Sequence, residues 1–393
     1  MKILVDLSYI HSRVKLRESV ALYAFRFLKN LSPKQKGLFT LLIVPSMKAE
    51  ILKRVGEFDL EYFNDIPKFL TKIPYLKGFL RAINWGAKIR RLPHKKYNCI
   101  YIPFCWSGNS NKIPLTKIVT IHDLRPMREA TRALTGTWLF DKLRLKALYL
   151  KASRKYFEKH LCNANTIIAI SNYVKDDLAN EWPQYKSKIF TVYNSVDKLN
   201  VPPQKIDVLQ NTKYILYVNT LSKYKNIITL ISAFKQLISD SQFKDIKLTV
   251  VGKSTPYWEN IVIPLINGEN LSNGIIHLDY VTDQELIWLY QNATVFVTPS
   301  IHEGFGYTPI EAAIYGCPVI STRCDSLPDV TDEKVRYYDP PTSKENLLIQ
   351  LKDVLLNPAN NDDIESLARY FQNKYSSISQ QKQILTLLCD EKC

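Results

Sequence analysis

Pro299-Ser300-Ile301-His302-Glu303-Gly304-Phe305-Gly306-Tyr307-Thr308-Pro309-Ile310-Glu311, continued by Gly316-Cys317-Pro318, is the most informative stretch of this 393-residue chain. The apolar run at 294–297 before it reads as a strand, and residues 309–315, stopped by Gly316, read as a helix with a proline pre-set for its first turn. The loop between them holds two glycines, whose missing Cβ lets backbone N–H groups approach a ligand closely. The helix start adds partial positive charge, so loop and helix together make an anion site fit for a phosphate. Glu303 and Glu311 flank that site. A carboxylate repels a phosphate, so beside one it is expected to accept hydrogen bonds from hydroxyls. An anion bracketed by hydroxyls describes a nucleoside diphosphate sugar. The plainer alternative is an ordinary strand–loop–helix in which Glu311 only complements the helix dipole.

Outward from this stretch, short apolar runs alternate with amphipathic ones. Strands are predicted at 2–7, 40–44, 99–102, 118–120, 166–170 and 190–193, with helices at 17–30, 138–161 and 172–180. The pattern lapses over 199–212, around Pro202-Pro203, and then restarts. Strands are predicted at 214–218, 247–251, 275–278 and 318–321, and helices at 227–239 and 283–291. Such alternation builds parallel sheets covered on both faces. The fold class is therefore α/β, with two doubly wound, Rossmann-like domains and a ligand cleft expected between them. Residues 1–203 form the expected N-terminal domain and 204–370 the C-terminal one. A helical tail, 371–393, is expected to pack back on the N-terminal domain.

Composition excludes several classes. With 46% apolar and 23% charged residues, the chain is neither disordered nor fibrous. Twelve glycines against 20 prolines, without a short repeat, exclude collagen and solenoids. No uncharged apolar run approaches the roughly 18 residues of a spanning helix. Met1-Lys2-Ile3-Leu4-Val5-Asp6 turns acidic too early for a secretory segment and reads as a strand. Seven cysteines without a C-x-x-C pair suggest a reduced, cytoplasmic protein with no metal site.

Charge is unevenly spread. Residues 1–200 hold 36 Lys and Arg against 15 Asp and Glu; the remainder holds 17 against 22. The densest part, 66–96, carries Lys68, Lys72, Lys77, Arg81, Lys88, Arg90, Arg91, Lys95 and Lys96 and no acidic residue. Large apolar residues, among them Ile83, Trp85 and Ile89, are interleaved with them. This pattern suits an amphipathic segment on an anionic membrane surface, where each cation contributes on the order of 1 kcal/mol. A merely solvated basic face is the competing reading. Nucleic acid is not an expected partner, since no zinc finger or RNP signature accompanies the charge.

The pattern Glu-Gly-Phe-Gly-x4-Glu followed by Gly-x-Pro-Val resembles the retaining glycosyltransferases of family 4, which have the GT-B fold. These include bacterial surface-polysaccharide hexosyl- and mannosyltransferases. Other segments fit in the same order: Ile121-His122-Asp123-Leu124, Ile170-Ser171, Tyr193-Asn194-Ser195-Val196-Asp197, Lys225-Asn226, Tyr280-Val281 with Glu285-Leu286, and Ser326-Leu327-Pro328-Asp329-Val330. The resemblance is close over 118–340 and covers the first 115 residues in outline. It implies that Glu311 holds the donor's ribose, and that Glu303 holds the transferred sugar with backbone N–H groups of Gly304, Phe305 and Gly306. It further implies that Lys225, with Asn226 beside it, neutralises the diphosphate, that Val281 contacts the base, and that His122 sits near the reacting sugar. Of these, His122, Glu303 and Lys225 would be the catalytic residues. Physical reasoning supports Lys225: negative charge grows on the departing diphosphate, and a fixed cation stabilises that state above the ground state. No Asp-x-Asp motif is present, so no metal and no cofactor is expected. A solvated lysine at a helix start and a structural histidine are the plainer readings of Lys225 and His122.

The chain also departs from the family. Asn219-Thr220 stands where an arginine often joins the lysine, Ser195 and Asp279 replace glycines, and the N-terminal glycine-rich turn falls at Glu18-Ser19. The resemblance implies a metal-independent, retaining transfer of a hexose from a UDP- or GDP-sugar, a co-substrate, to a lipid-linked saccharide acceptor at the inner face of the cytoplasmic membrane. The alternative is an inactive GT-B scaffold or sugar-nucleotide-binding protein.

Overall fold

The computed structural model describes residues 2–12, 19–63, 76–92, 96–105, 109, 112–124 and 154–390. They form two units, one made of 1–195 with 377–393 and the other of 196–376.

The first unit is built on a seven-stranded sheet of β1 (Ile3–Asp6), β2 (Phe39–Ile43), β3 (Asp59–Tyr62), β4 (Cys99–Ile102), β5 (Thr116–Ile121), β6 (Thr166–Ala169) and β7 (Ile189–Thr191). All pairings are parallel and the order is β3-β2-β1-β4-β5-β6-β7. β1, β2, β4 and β6 are buried throughout, as near-continuous apolar runs require when helices cover both faces. β3 has no such run: Asp-Leu-Glu-Tyr lies half-exposed at the sheet edge, and the sequence pattern did not predict it. The Ser19–Lys29 helix buries Tyr23, Phe25, Phe27 and Leu28.

The second unit repeats the scheme with six strands, β8 (Tyr214–Val218), β9 (Lys247–Val251), β10 (Ile275–Leu278), β11 (Val295–Thr298), β12 (Val319–Thr322) and β13 (Arg336–Tyr338). Their order is β10-β9-β8-β11-β12-β13, again all parallel. The Ile227–Ile238 and Lys344–Leu356 helices cover one face through Leu230, Phe234, Leu237, Leu347 and Leu351. Each such side chain stabilises by roughly 1.5–3 kcal/mol when fully buried. Both sheets therefore reverse strand order beside their first strand. In a doubly wound sheet that switch point is where loops splay apart and ligands bind.

The unit boundaries lie at 195/196 and 376/377, whereas the sequence pattern placed them at 203/204 and 370/371. The proline-containing segment that read as a linker runs along the second unit: Leu199 N donates to the Tyr315 hydroxyl at 2.9 Å, and Gln204 N to Gln284 O at 3.0 Å. The two chain crossings are pinned separately. Val196 N donates to Tyr375 O at 2.7 Å in the second unit. In the first, Ser195 Oγ donates to Gln380 Oε1 at 2.8 Å. The Ser377–Asp390 helix thus belongs with the N-terminal residues and packs on the Ser19–Lys29 helix.

Candidate functional site

Loops leave the neighbouring ends of β8 and β11 at the switch point of the second sheet. The first runs through the Lys223–Lys225 turn to Asn226, which starts the next helix in the left-handed region at φ 56° and ψ 35°. Asparagine tolerates that conformation better than most residues. Its side chain ties the two loops together: Nδ2 donates to Pro299 O at 3.0 Å and to Pro341 O at 2.8 Å, and Oδ1 accepts from Thr229 Oγ1 at 3.0 Å. Ile301 N donates to Tyr224 O at 2.9 Å, a second link. These bonds bring Lys225 onto Glu303, with Nζ 2.6 Å from Oε1. Ser300 Oγ donates to the same oxygen at 2.8 Å. Lys225 is only 8% exposed, so it is not the solvated lysine of the plainer reading.

The 299–306 loop is held from below by the loop after β12. Thr322 Oγ1 and Cys324 Sγ approach Ser300 O at 2.8 Å and 3.0 Å, and Ser326 Oγ donates to Glu303 O at 2.9 Å. Asp325 Oδ2 accepts from Glu303 N at 3.1 Å and from His302 Nδ1 at 3.2 Å. Gly306 has φ +86°, and a Cβ there would lie 2.5 Å from Leu327 Cδ2, so only glycine fits. The helix spans Tyr307–Ile314 and so begins before Pro309, the predicted start. Phe305 is buried, with its ring 5.5 Å from Tyr375 at 87°, so it can offer a ligand its backbone but not its side chain. Gly304 lies between Glu303 and Phe305 in the same loop.

Glu311 lies on that helix and accepts from the Tyr290 hydroxyl at 3.3 Å. Burial, with the Glu311 carboxylate adding to it, pushes the Tyr290 phenol well above its ordinary range, so it remains a donor. Val281 is half-buried in the loop after β10, beside the exposed Tyr280. Asp279, where the family has glycine, accepts from Ser254 N at 2.6 Å. A Cβ at Gly252 would lie 2.1 Å from Asn219 O, so the loops after β8 and β9 meet backbone to backbone. Lys225, Asn226, Glu303, Gly304, Phe305, Gly306 and Glu311 thus occupy two adjacent loops and one helix, while Val281 stands on a loop farther along the sheet.

His122 belongs to the first unit, at the end of β5. Its Nε2 is 2.9 Å from Pro103 O. A carbonyl only accepts, so this bond assigns the hydrogen to Nε2 and a lone pair to Nδ1. Tyr23 packs edge-on at 5.1 Å. Desolvation, only partly offset by the Pro103 bond, pushes the imidazole down to about 4. His122 is therefore neutral near pH 7 and can accept a hydroxyl hydrogen but supplies no charge.

Of the basic segment, Lys68, Lys72 and Lys95 lie outside the described residues. Lys77 and Arg81 fall on the Leu76–Arg91 helix, and their side chains lie outside the described ones. Arg90 and Arg91 are exposed, and so is Ile83, but Trp85 and Ile89 are buried in the core of their own unit. Trp85 Nε1 donates to Asp6 Oδ2 at 2.9 Å. Lys88 and Lys96 both reach Glu61, at 3.3 Å and 3.0 Å. The apolar half of the expected membrane face is therefore smaller than the sequence pattern implied. Among the described residues no helix is long and apolar enough to cross a membrane, and no group of three His, Cys, Asp or Glu is placed to hold a metal ion.

Sequence reasoning did not single out Ser300, Tyr290, His302 or Asp325. Only the neighbouring Ser326-Leu327-Pro328 pattern marked the segment that holds Asp325.

Residues 42–198 match the model of Glycosyltransferase Family 4, and residues 203–374 match that of Glycosyl transferases group 1. The O-antigen chain mannosyltransferase RfbU of Salmonella typhimurium is 29% identical over 234 residues, 59% of this chain and 60% of that protein. The O-antigen chain mannosyltransferase B of Escherichia coli is 28% identical over 199 residues, 47% of this chain and 51% of that one. The matches thus span about half to three-fifths of these relatives' lengths. Among solved structures, sucrose-phosphate synthase from Thermosynechococcus elongatus superposes with a TM-score of 0.73 at 18% identity, over 99% of this chain and 98% of that one. Anabaena HepE in complex with UDP and glucose superposes at 0.69 and 15% identity, over 99% and 100%. Two consecutive family matches on two parallel-sheet units lead to one conclusion: the chain belongs to the group 1 and family 4 glycosyltransferases, with the GT-B fold.

Proposed function

We propose that the chain transfers a hexose, with retention, from a nucleoside diphosphate sugar to a lipid-linked saccharide acceptor in the synthesis of a surface polysaccharide. The observation that carries this reading is the buried Lys225–Glu303 pair at the switch point. The ammonium has three donors; with one on Glu303 Oε1, two remain for diphosphate oxygens. As the sugar–phosphate bond breaks, charge builds on those oxygens beside an ammonium that is already in place. Glu303 accepts from hydroxyls of the transferred sugar, and the amides of Gly304, Phe305 and Gly306 line the same loop. Glu311, oriented by Tyr290, takes the ribose, and Val281 the base. His122, neutral, accepts from a sugar hydroxyl. Lys225 meets the charge of the leaving group, so no metal is assigned to the step.

The names of the relatives favour mannose, and the UDP-bound neighbour favours a nucleotide donor in general; GDP- and UDP-sugars are both retained as candidates. Arg90 and Arg91, with the basic residues before them, would hold the chain peripherally on an anionic membrane at the cytoplasmic face. Incubating the purified chain with labelled UDP-, GDP- and ADP-hexoses and lipid-linked acceptors tests the proposal. Consumption of one donor, with the product keeping the donor's anomeric configuration by NMR, is expected. Nucleotide binding without turnover on any acceptor would instead identify a sugar-nucleotide-binding scaffold, and neither binding nor turnover would reject both.

A further inference from the structure

The loop after β12 grips the donor loop with three consecutive side chains. Cys324 meets Ser300 O, Asp325 meets Glu303 N and the His302 ring, and Ser326 meets Glu303 O. Asp325 does so from a left-handed backbone, φ 47°, which most side chains avoid. Aspartate usually tolerates that region by bonding to nearby backbone. Here the carboxylate also reaches across to residues more than twenty positions earlier, joining two loops. Glu303 is consequently fixed at its amide, at its carbonyl and, through Lys225 and Ser300, at Oε1. Among the described residues no hydrogen bond reaches Oε2, so that oxygen keeps its acceptor capacity.

We infer that Asp325 is a positioning residue of the donor loop: one carboxylate oxygen sets the Glu303 backbone and the tautomer of His302 together. This rests on the reading of Glu303 as a sugar-binding carboxylate. A carboxylate oxygen only accepts, so Asp325 places a hydrogen on His302 Nδ1 and leaves the lone pair on Nε2. His302 then stands next in sequence to Glu303 as a second acceptor for hydroxyls, held in one orientation.

Two substitutions separate this role from simple loop stability. Asp325→Gly keeps the left-handed backbone and removes the carboxylate, while Asp325→Asn keeps an oxygen that can accept both bonds. Asp325→Gly is expected to lower kcat by about 10-fold to 10²-fold. Its UDP or GDP affinity, measured by calorimetry, should fall by less than kcat does, because the ribose and base are assigned to Glu311 and Val281, which Asp325 does not hold. Asp325→Asn should recover most of the rate. In the ligand-free protein, 15N NMR of the His302 ring should show the Nδ1–H tautomer in the parent and in Asp325→Asn, but not in Asp325→Gly. An unchanged ring tautomer in Asp325→Gly overturns the inference even if no donor is ever found, and a parent without transferase activity overturns only the functional reading. A kcat for Asp325→Gly within about twofold of the parent also overturns it.

Discussion

The Lys225 ammonium and the Glu303 carboxylate meet at 2.6 Å with their side chains only 9% and 11% exposed. Neither charge can be removed alone without leaving the other buried and unmatched, at a cost of roughly 3 kcal/mol. Lys225→Ala should therefore lower both Tm and turnover, the latter by about 10²-fold or more. Adding Glu303→Gln should restore most of the stability and none of the rate. A rate loss under about threefold in Lys225→Ala would remove the lysine from the diphosphate.

Glu311 is assigned to the ribose, with Tyr290 as its orienting donor. Glu311→Ala should weaken UDP or GDP binding in calorimetry by about tenfold or more, the scale of a lost hydrogen bond from a charged group. Tyr290→Phe keeps the ring stack on Tyr315 and should weaken binding by only about threefold. Equal affinities in Glu311→Ala and parent would refute the ribose assignment.

His122 gives a stability test with a definite sign. Its imidazole has an ordinary value of 6.5 and is pushed to about 4 by desolvation in the fold. Between those values the unfolded chain binds a proton that the folded chain does not, so stability falls as pH drops through this window. The contribution is complete above 6.5 and lost on the way down to about 4. His122→Asn should flatten the pH dependence of urea unfolding there by on the order of 2 kcal/mol. Superimposable curves for parent and variant would contradict the desolvated, neutral ring.

Among the described side chains of the basic helix, Arg90 and Arg91 are exposed cations, while Lys88 is bound to Glu61. Reversing both arginines to glutamate should release the chain from vesicles containing anionic lipid, at about 1 kcal/mol per cation before reversal. Sedimentation with those vesicles reads the result. If the doubly reversed chain still pellets fully, the membrane contact lies elsewhere.

The sequence revealed the architecture where apolar runs were continuous, because a strand buried on both faces leaves no polar residue to confuse the pattern. β3, at an edge and half-solvated, left no such run. Of the candidate site, Glu303, Glu311, Lys225 and the glycine loop stood out in the sequence by residue type and spacing, and the fold brings Lys225 onto Glu303. Asp325 and Tyr290 were not legible: each acts from another loop or helix, and only folding brings it to its carboxylate or amide partner. Trp85 and Ile89 misled for a related reason. A core-facing stripe and a membrane-facing stripe have the same helical period, and only packing tells them apart.

The second unit is one unbroken run of chain, whereas the first is closed by a helix from beyond it. During synthesis the second unit can therefore complete its sheet while the first still lacks the Ser377–Asp390 helix. Until that helix leaves the ribosome, the flank of the Ser19–Lys29 helix that it packs against stays uncovered.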